Sequence, residues 1–451
     1  MVRLIWKILN MKKVWIIVFG LSCLGLSAQK KWSLKECVDY AVEHNLQVIQ
    51  NQYNKQSQDA SLKIAKNGYL PTLSANMSNG VSFGQASLGA GSFRNDRFNN
   101  SVGIGADILV YNNGRLEKSV RKAQFDVEAS QYDIETIKND ISLQIAQQYL
   151  TALLNREIVK ISQSALENAQ KQYDRAKITT EVGTTAQTVL AEAEAALARE
   201  KQNVKKAEID VGRALFAIAQ LLQLPDYKDF DVENVNVPET LDSQLITADE
   251  VLTTAYEIQP QIKAAESRIR SAEAQTEVSK TAFWPTLTAS AGLSTFYNYQ
   301  ISKGQEGVVQ PGFFKQYSDQ FGQNVGLSLN VPIFNKGITK LQVEQSRINE
   351  SIAKNTLDQQ KQTVRQNVQK AQFDADANYE TYLSAVEAEK STKLALEFAD
   401  KSYAAGRTTI YDVNVARNNY ANAQGSVAQA KYNYLFSLKM LSFYAGIPLS
   451  L

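Results

Sequence analysis

One histidine and two cysteines in 451 residues leave little chemistry of the metal or redox kind. A histidine-dependent catalytic triad has almost nothing to draw on, and no phosphate-binding loop is present, so the chain reads as a non-enzyme without cofactor or metal. The lone histidine, His44, falls in a helical pattern and reads as structural or solvated. Lysine and arginine (48) nearly balance aspartate and glutamate (46), which gives no electrostatic case for nucleic acid. The mean hydropathy of −0.30 excludes a polytopic helical membrane protein. Proline is absent from residues 72–224 and again from 333–447, so nothing of that kind interrupts two very long segments.

The longest apolar run, Val14–Leu26, is short for a bilayer span and follows Lys12 and Lys13. With Gly25, Ser27 and Ala28 after it, residues 1–28 read as an export signal, and Met11 offers a second start. Cys23 raises a lipoprotein alternative, against which stands the absence of an aliphatic residue three places earlier. Removal of the leader leaves Cys37 alone, so no internal disulfide is expected.

What the chain does have is the same domain twice. Val102–Pro225 maps onto Val325–Pro448 at a constant offset, with VGIGADILVYNNG answered by VGLSLNVPIFNKG. Upstream, YLPTLSA (Tyr69–Ala75) answers FWPTLTA (Phe283–Ala289), and Ser33-Leu-Lys-Glu36 answers Thr247-Ala-Asp-Glu250. The upstream offset is smaller by nine residues, so the second half carries an insertion between the matched blocks. The expected organisation is a first repeat over 29–245 and a second over 246–451.

Fifteen of 22 glycines fall in the windows 68–114 and 292–337, so each repeat reads as helix, glycine-rich patch, very long helix, break, and shorter helix. The spans Gly114–Gly183 and Gly337–Gly406 each predict about 100 Å of helix at 1.5 Å per residue. Leu116, Val120, Ala123, Val127, Ile134, Ile137, Ile141 and Ile145 recur at coiled-coil spacing, whereas the second long segment is richer in glutamine. Shorter helices are expected from the Ser33–Glu36 capping box to Gly68, from Ala186 to Leu224, from Thr247 to Ala282, and from Thr409 to Ile447. Two short helices laid end to end match one long one, and the link 226–245 is expected outside the bundle.

The glycine-rich patches have period two. Leu73–Ser78, Val102–Val110, Leu287–Leu293 and Val325–Ile333 predict four strands, each with one apolar and one small or polar face. Tyr69, Phe83, Phe98, Tyr111, Phe283, Trp284, Phe296, Tyr297, Phe321 and Phe334 flank them, as interfacial girdles of a membrane barrel do. A soluble sandwich shares this alternation; the export signal and the length of the helices favour the barrel. Four strands cannot close, and an open sheet edge does not survive in lipid, so a spanning sheet demands several chains. A dimer supplies eight strands and leaves a filled barrel; the polar strand faces suggest water inside and favour three chains or more.

The repeats, YLPTLSA and FWPTLTA at the first strand of each pair, the YNNG and FNKG turns, and Tyr403-Ala-Ala-Gly406-Arg-Thr-Thr-Ile-Tyr-Asp412 together resemble the outer-membrane efflux (TolC) family from Ser33 to Pro448. The resemblance implies a homotrimer whose four strands per chain share one 12-stranded barrel in the outer membrane lipid, continued by a helical coiled-coil barrel into the periplasm. It implies a passive exit duct that meets a periplasmic adaptor protein and an inner-membrane pump, with no nucleic acid. A protein-secretion duct and a soluble periplasmic scaffold are the alternatives, and the scarcity of Met, His and Cys argues against a dedicated soft-metal exporter.

By the same resemblance the tips Gly183, Thr184 and Gly406 face the adaptor, and Asp412 and Tyr403 belong to the entrance gate. Arg407 lies one position from an expected gate arginine, Val415 stands where a second acidic residue is common, and Val189 is the first-repeat counterpart of Asp412. Tyr69, Tyr111, Phe283, Trp284 and Phe334 are expected at the membrane interface.

Overall fold

The structure is a computed structural model that describes residues 31–88, 91–235, 247–302 and 310–447. The expected export signal over 1–28, Cys23 and the second half of the link, 236–245, lie outside the described residues. The first half runs β1 (Lys31–Trp32), α1 (Leu34–His44), α2 (Leu46–Asn67), β2 (Thr72–Ser82), β3 (Gln85–Leu88), β4 (Gly91–Arg94), β5 (Arg97–Tyr111), α3 (Arg115–Glu181), α4 (Gln187–Leu222) and β6 (Asp231–Val232). The second runs α5 (Ala248–Ile258), α6 (Pro260–Lys280), β7 (Thr286–Gln300), α7 (Phe313–Asp319), β8 (Gly322–Asn330), α8 (Ile338–Ala404) and α9 (Ile410–Tyr444). The long helices α3 and α8 each have 67 residues, and α4 and α9 begin where expected.

The expected helices Ser33–Gly68 and Thr247–Ala282 are each two. Ser33 does cap α1, its Oγ accepting from Glu36 N–H at 3.2 Å while Ser33 N–H donates to Glu36 Oε2 at 3.0 Å. The chain then turns extended at Asn45, whose Oδ1 accepts from Gln47 N–H at 2.8 Å and so starts α2 afresh. In the second repeat Gln259 is extended because a residue before proline avoids helical backbone, and Pro260 opens α6. The turns from β5 to α3 and toward α8 are also alike: Asn113 (φ 54°) and Lys336 (φ 57°) adopt the left-handed conformation that lets strand give way to helix. Asn112 Oδ1 then accepts from Arg115 N–H at 3.1 Å at the head of α3.

Two compact units cut across the repeats, each taking segments from both. Residues 51–134 and 260–361 form the unit that holds the main sheet, in the order β2-β5-β7-β8 and antiparallel throughout. Its register puts Leu73, Ala106, Ala291 and Val325 in one row and Ala75, Ile104 and Leu293 in the next. The apolar residues of all four strands therefore share a face, and they are uncovered: Leu73 is 76% exposed and Val325 86%. The opposite face carries Ser74, Gly105, Ser290 and Gly326, with Ser78 and Ser101 hydroxyls 2.7 Å apart. Among the described residues, strands β2 and β8 each have one neighbour only, leaving two open edges. The sheet departs from expectation at its margins. β8 stops at Asn330, two residues before Pro332, which has no N–H to offer a ladder. β5 and β7 each extend to 15 residues, the β3–β4 hairpin follows β2, and α7 fills part of the insertion.

Residues 31–50, 135–235, 247–259 and 362–447 are the described part of the other unit. Its core is built from Tyr149, Ile145, Ile218, Leu222, Val251, Val364, Val368 and Leu441, all fully buried or nearly so. The parallel pair β1–β6, which sequence patterning did not show, is bolted to α3. Tyr149 shares its hydroxyl proton between the carbonyls of Trp32 (3.2 Å) and Glu233 (3.1 Å), and Arg156 donates to Val232 O at 2.7 Å and pairs with Asp231. Nearest the α3–α4 turn the buried apolar residues are Ala176 and Ala193, with Ala169 and Leu197 behind them, so the last turns are held by little apolar area.

Candidate functional site

Both helix turns expected at the tips have the same construction. Gly183 (φ 77°) and Gly406 (φ 71°) sit in the left-handed region that only glycine occupies without cost. Gly183 N–H donates to Thr180 O and Thr184 N–H to Thr179 O; Gly406 N–H donates to Tyr403 O and Arg407 N–H to Ser402 O, all at 2.9–3.0 Å. Each is a Schellman turn that satisfies the last helical carbonyls. The Thr184 hydroxyl also bends back to Thr179 O at 2.8 Å, so its donor is spent on the turn itself. The buried hydroxyls of Thr180 and Thr185 have no hydrogen-bond partner among the described residues.

Asp412 is the third residue of α9 and closes a capping box with Thr409. Its Oδ2 accepts from Thr409 N–H at 3.0 Å and from the hydroxyls of Thr409 and Thr408 at 2.7 Å, and Asp412 N–H donates to Thr409 Oγ1 at 3.3 Å. These hydrogen bonds, the Thr409 hydroxyl first, lower its pKa below the ordinary carboxylate value of 3.8. The carboxylate is solvent-exposed and lines a cleft between α8 and α9 with Thr392, Ala395, Tyr411, Val415 and Asn419.

The other expected gate residues do not join it. No hydrogen bond links Tyr403 or Arg407 to Asp412 among the described residues, and the exposed Arg407 side chain makes no hydrogen bond or ion pair there. The cation that does bind across the tip helices is Arg417, one and a half turns further along α9. Its guanidinium reaches Asp400 Oδ1 on α8 at 3.4 Å. With the Gln172 carboxamide turned to satisfy both groups, its oxygen on α3 accepts from Arg417 NH1 and NH2 at 3.1 and 3.0 Å. Only 16% of the Arg417 side chain is exposed, so three helices meet on one largely desolvated cation. Its spacing from Gly406 belongs to no motif, and pairing across helices 17 and 245 positions away leaves no local signal.

The five expected interface aromatics gather at one end of the sheet. Tyr69 precedes β2, Tyr111 ends β5, Phe283 and Trp284 precede β7, and Phe334 follows β8, while the register Thr72–Asp107, Tyr111–Leu287 and Thr286–Asn330 brings those strand ends level. All five are exposed. Among the described residues no helix is long and apolar enough to cross a membrane, and no cluster of three His, Cys, Asp or Glu could hold a metal ion. Cys37 is buried, its thiol pushed up to about 12 by burial and secondarily by Glu36, so it stays protonated and inert.

The sequence matches the family described as outer membrane efflux protein over residues 38–223 and 251–446. It is 27% identical over 312 residues to the outer membrane protein TolC of Escherichia coli, covering 67% of this chain and 60% of that protein. To the pyoverdine export outer membrane protein OpmQ of Pseudomonas aeruginosa it is 25% identical over 350 residues, covering 73% and 66%. The match thus spans less than two thirds of either relative. In fold it is similar to the CmeC outer membrane channel of Campylobacter jejuni, with a TM-score of 0.74 at 20% identity, over 92% of this chain and 85% of that one. With the family matched across both repeats, tips and sheet included, the chain belongs to the outer membrane efflux protein family.

Proposed function

We propose that three copies of this chain assemble into a passive exit duct, with a shared 12-stranded barrel in the outer membrane and its helices in the periplasm. The carrying observation is the sheet: two open edges, a largely exposed apolar face, and an opposite face rich in serine, glycine and asparagine. Edge joined to edge around a three-fold axis leaves no strand unpaired, puts the apolar face in lipid and lines a wet lumen with the other.

Transport work is supplied by a periplasmic adaptor and an inner-membrane pump, docked at the Gly183 and Gly406 turns; the duct adds a polar path of low affinity. At the entrance, three Asp412 carboxylates around the axis form a negative ring that selects cations. Capping keeps each of them ionised. Opening parts the α3–α4 end, where the residues buried nearest the turn are Ala176 and Ala193, a motion that exposes little apolar surface there. Tyr69, Tyr111, Phe283, Trp284 and Phe334 form the girdle at the periplasmic interface.

Single-channel recording in planar bilayers tests this. Discrete cation-selective conductance is expected, with Asp412→Ala reducing the preference. Absence of conductance from membrane-inserted protein would overturn the duct.

A further inference from the structure

Strand β8 begins at Gly322, opposite Ser294, yet β7 runs on to Gln300. Among the described residues, the outer edge of β7 beyond Ser294 therefore has no strand beside it. Two side-chain amides take the strand's place. Gln316 of α7 accepts from Asn298 N–H and donates to Asn298 O, both at 3.0 Å. Gln310 does the same for Gln300, accepting at 3.0 Å and donating at 3.4 Å. Thr295 Oγ1 donates to Tyr317 O at 2.8 Å, and the Tyr317 hydroxyl reaches Asn100. With Asn298 and Gln300 capped in this way, the end of β7 has its outward backbone groups there already engaged and presents a poor ladder to a second copy of the chain.

These contacts fix an aromatic cluster on the apolar side of the sheet. Tyr297 alternates with Leu293 along β7 and pairs with Asn100, which shares a face with Ile104. Phe313 packs on Tyr297 with ring centres 5.0 Å apart and on Tyr317 at 4.3 Å. Phe314 stands beyond them, 86% exposed, touching the Phe313 ring at 5.4 Å. An immobilised helix that presents phenylalanine outward, continuous with an apolar sheet face, loses stability in water and gains it in an apolar medium.

The spacing identifies the medium. Along β7, Tyr297 of the cluster stands 13 positions after Trp284. At about 3.4 Å per residue and a tilt of about 40°, that is a rise of roughly 34 Å, which crosses the roughly 25 Å apolar band of an outer-membrane barrel and reaches the headgroup region on its far side.

We propose that α7 is a lipid anchor: Phe313 and Phe314 enter the membrane at the headgroup boundary opposite the Trp284 girdle. This rests on the barrel reading. Tryptophan fluorescence in the reconstituted full chain tests it, in a background with the native Trp6, Trp15, Trp32 and Trp284 all changed to phenylalanine, with phosphatidylcholine vesicles brominated on the acyl chains. Phe314→Trp is expected to lose emission about two-fold to bromine near the headgroup, and a Val325→Trp control to deeper bromine. Val325→Trp quenched by lipid while Phe314→Trp responds only to aqueous iodide would overturn the anchor and leave the barrel standing. If both respond only to iodide, the barrel reading fails with it.

Discussion

Asn45 and Gln259, one in each repeat, break their helices with the same backbone geometry: φ −66°, ψ 128° at Asn45 and φ −65°, ψ 122° at Gln259. The means differ. Asn45 uses its side chain, with Oδ1 on Gln47 N–H and Nδ2 on Leu221 O at 3.1 Å, while at Gln259 the ring of Pro260 enforces the break. Asn45→Ala therefore removes a cap and takes a donor from the partly buried Leu221 carbonyl, a cost of about 1–2 kcal/mol. Gln259→Ala keeps the break. Hydrogen exchange should show the first turn of α2 opening faster in Asn45→Ala and the first turn of α6 little changed in Gln259→Ala.

Arg417 ties α9 to α8 through Asp400 and to α3 through Gln172. Hydrogen bonds to a charged group contribute about 1.5–3 kcal/mol, so removing this one shifts a closed–open balance by roughly ten-fold or more. Arg417→Ala is expected to raise resting conductance in bilayers, and Arg417→Lys to fall between because an ammonium lacks the planar fork. Arg407→Ala serves as the comparison and should leave conductance near that of the parent.

Acid weakens the α9 cap in a defined window. The Asp412 pKa is lowered in the folded chain, so its stabilisation is fully present above the unfolded value and is lost as pH falls through the lower, folded one. Exchange protection at Val413 and its neighbours should hold from neutral pH down to the ordinary carboxylate value of 3.8 and decline below it. In Asp412→Asn the decline over that acid range should be absent.

Cys37 is fully buried and its thiol is pushed up to about 12, so at pH 8 the thiolate population is negligible. A maleimide should leave it unmodified in the folded protein and label it after denaturation, as read by intact mass. Labelling of the folded protein would show that α1 detaches from the core.

Much of this was legible because it is local. The windows of glycine and the stretches without proline marked the long helices α3 and α8, period-two patterning marked the strands, and Thr409 with Asp412 marked the start of α9. The break before Pro260 was also written in the chain, and coiled-coil spacing on either side of it concealed the interruption. Asn45 gave less warning, since asparagine is tolerated inside helices. The rest depends on distant pairing. Nothing near Arg417 points to Gln172, nothing near Lys31 and Trp32 points to Asp231 and Val232, and the amides of Gln310 and Gln316 match β7 only once the sheet exists.

The incompleteness of one sheet is most directly tested by the mass of the purified protein in detergent, with bound detergent subtracted. Three times the 50.1 kDa chain, less any leader removed from each copy, is the expected result. A mass of one chain, unchanged when detergent is withdrawn and the protein stays in solution, would contradict it.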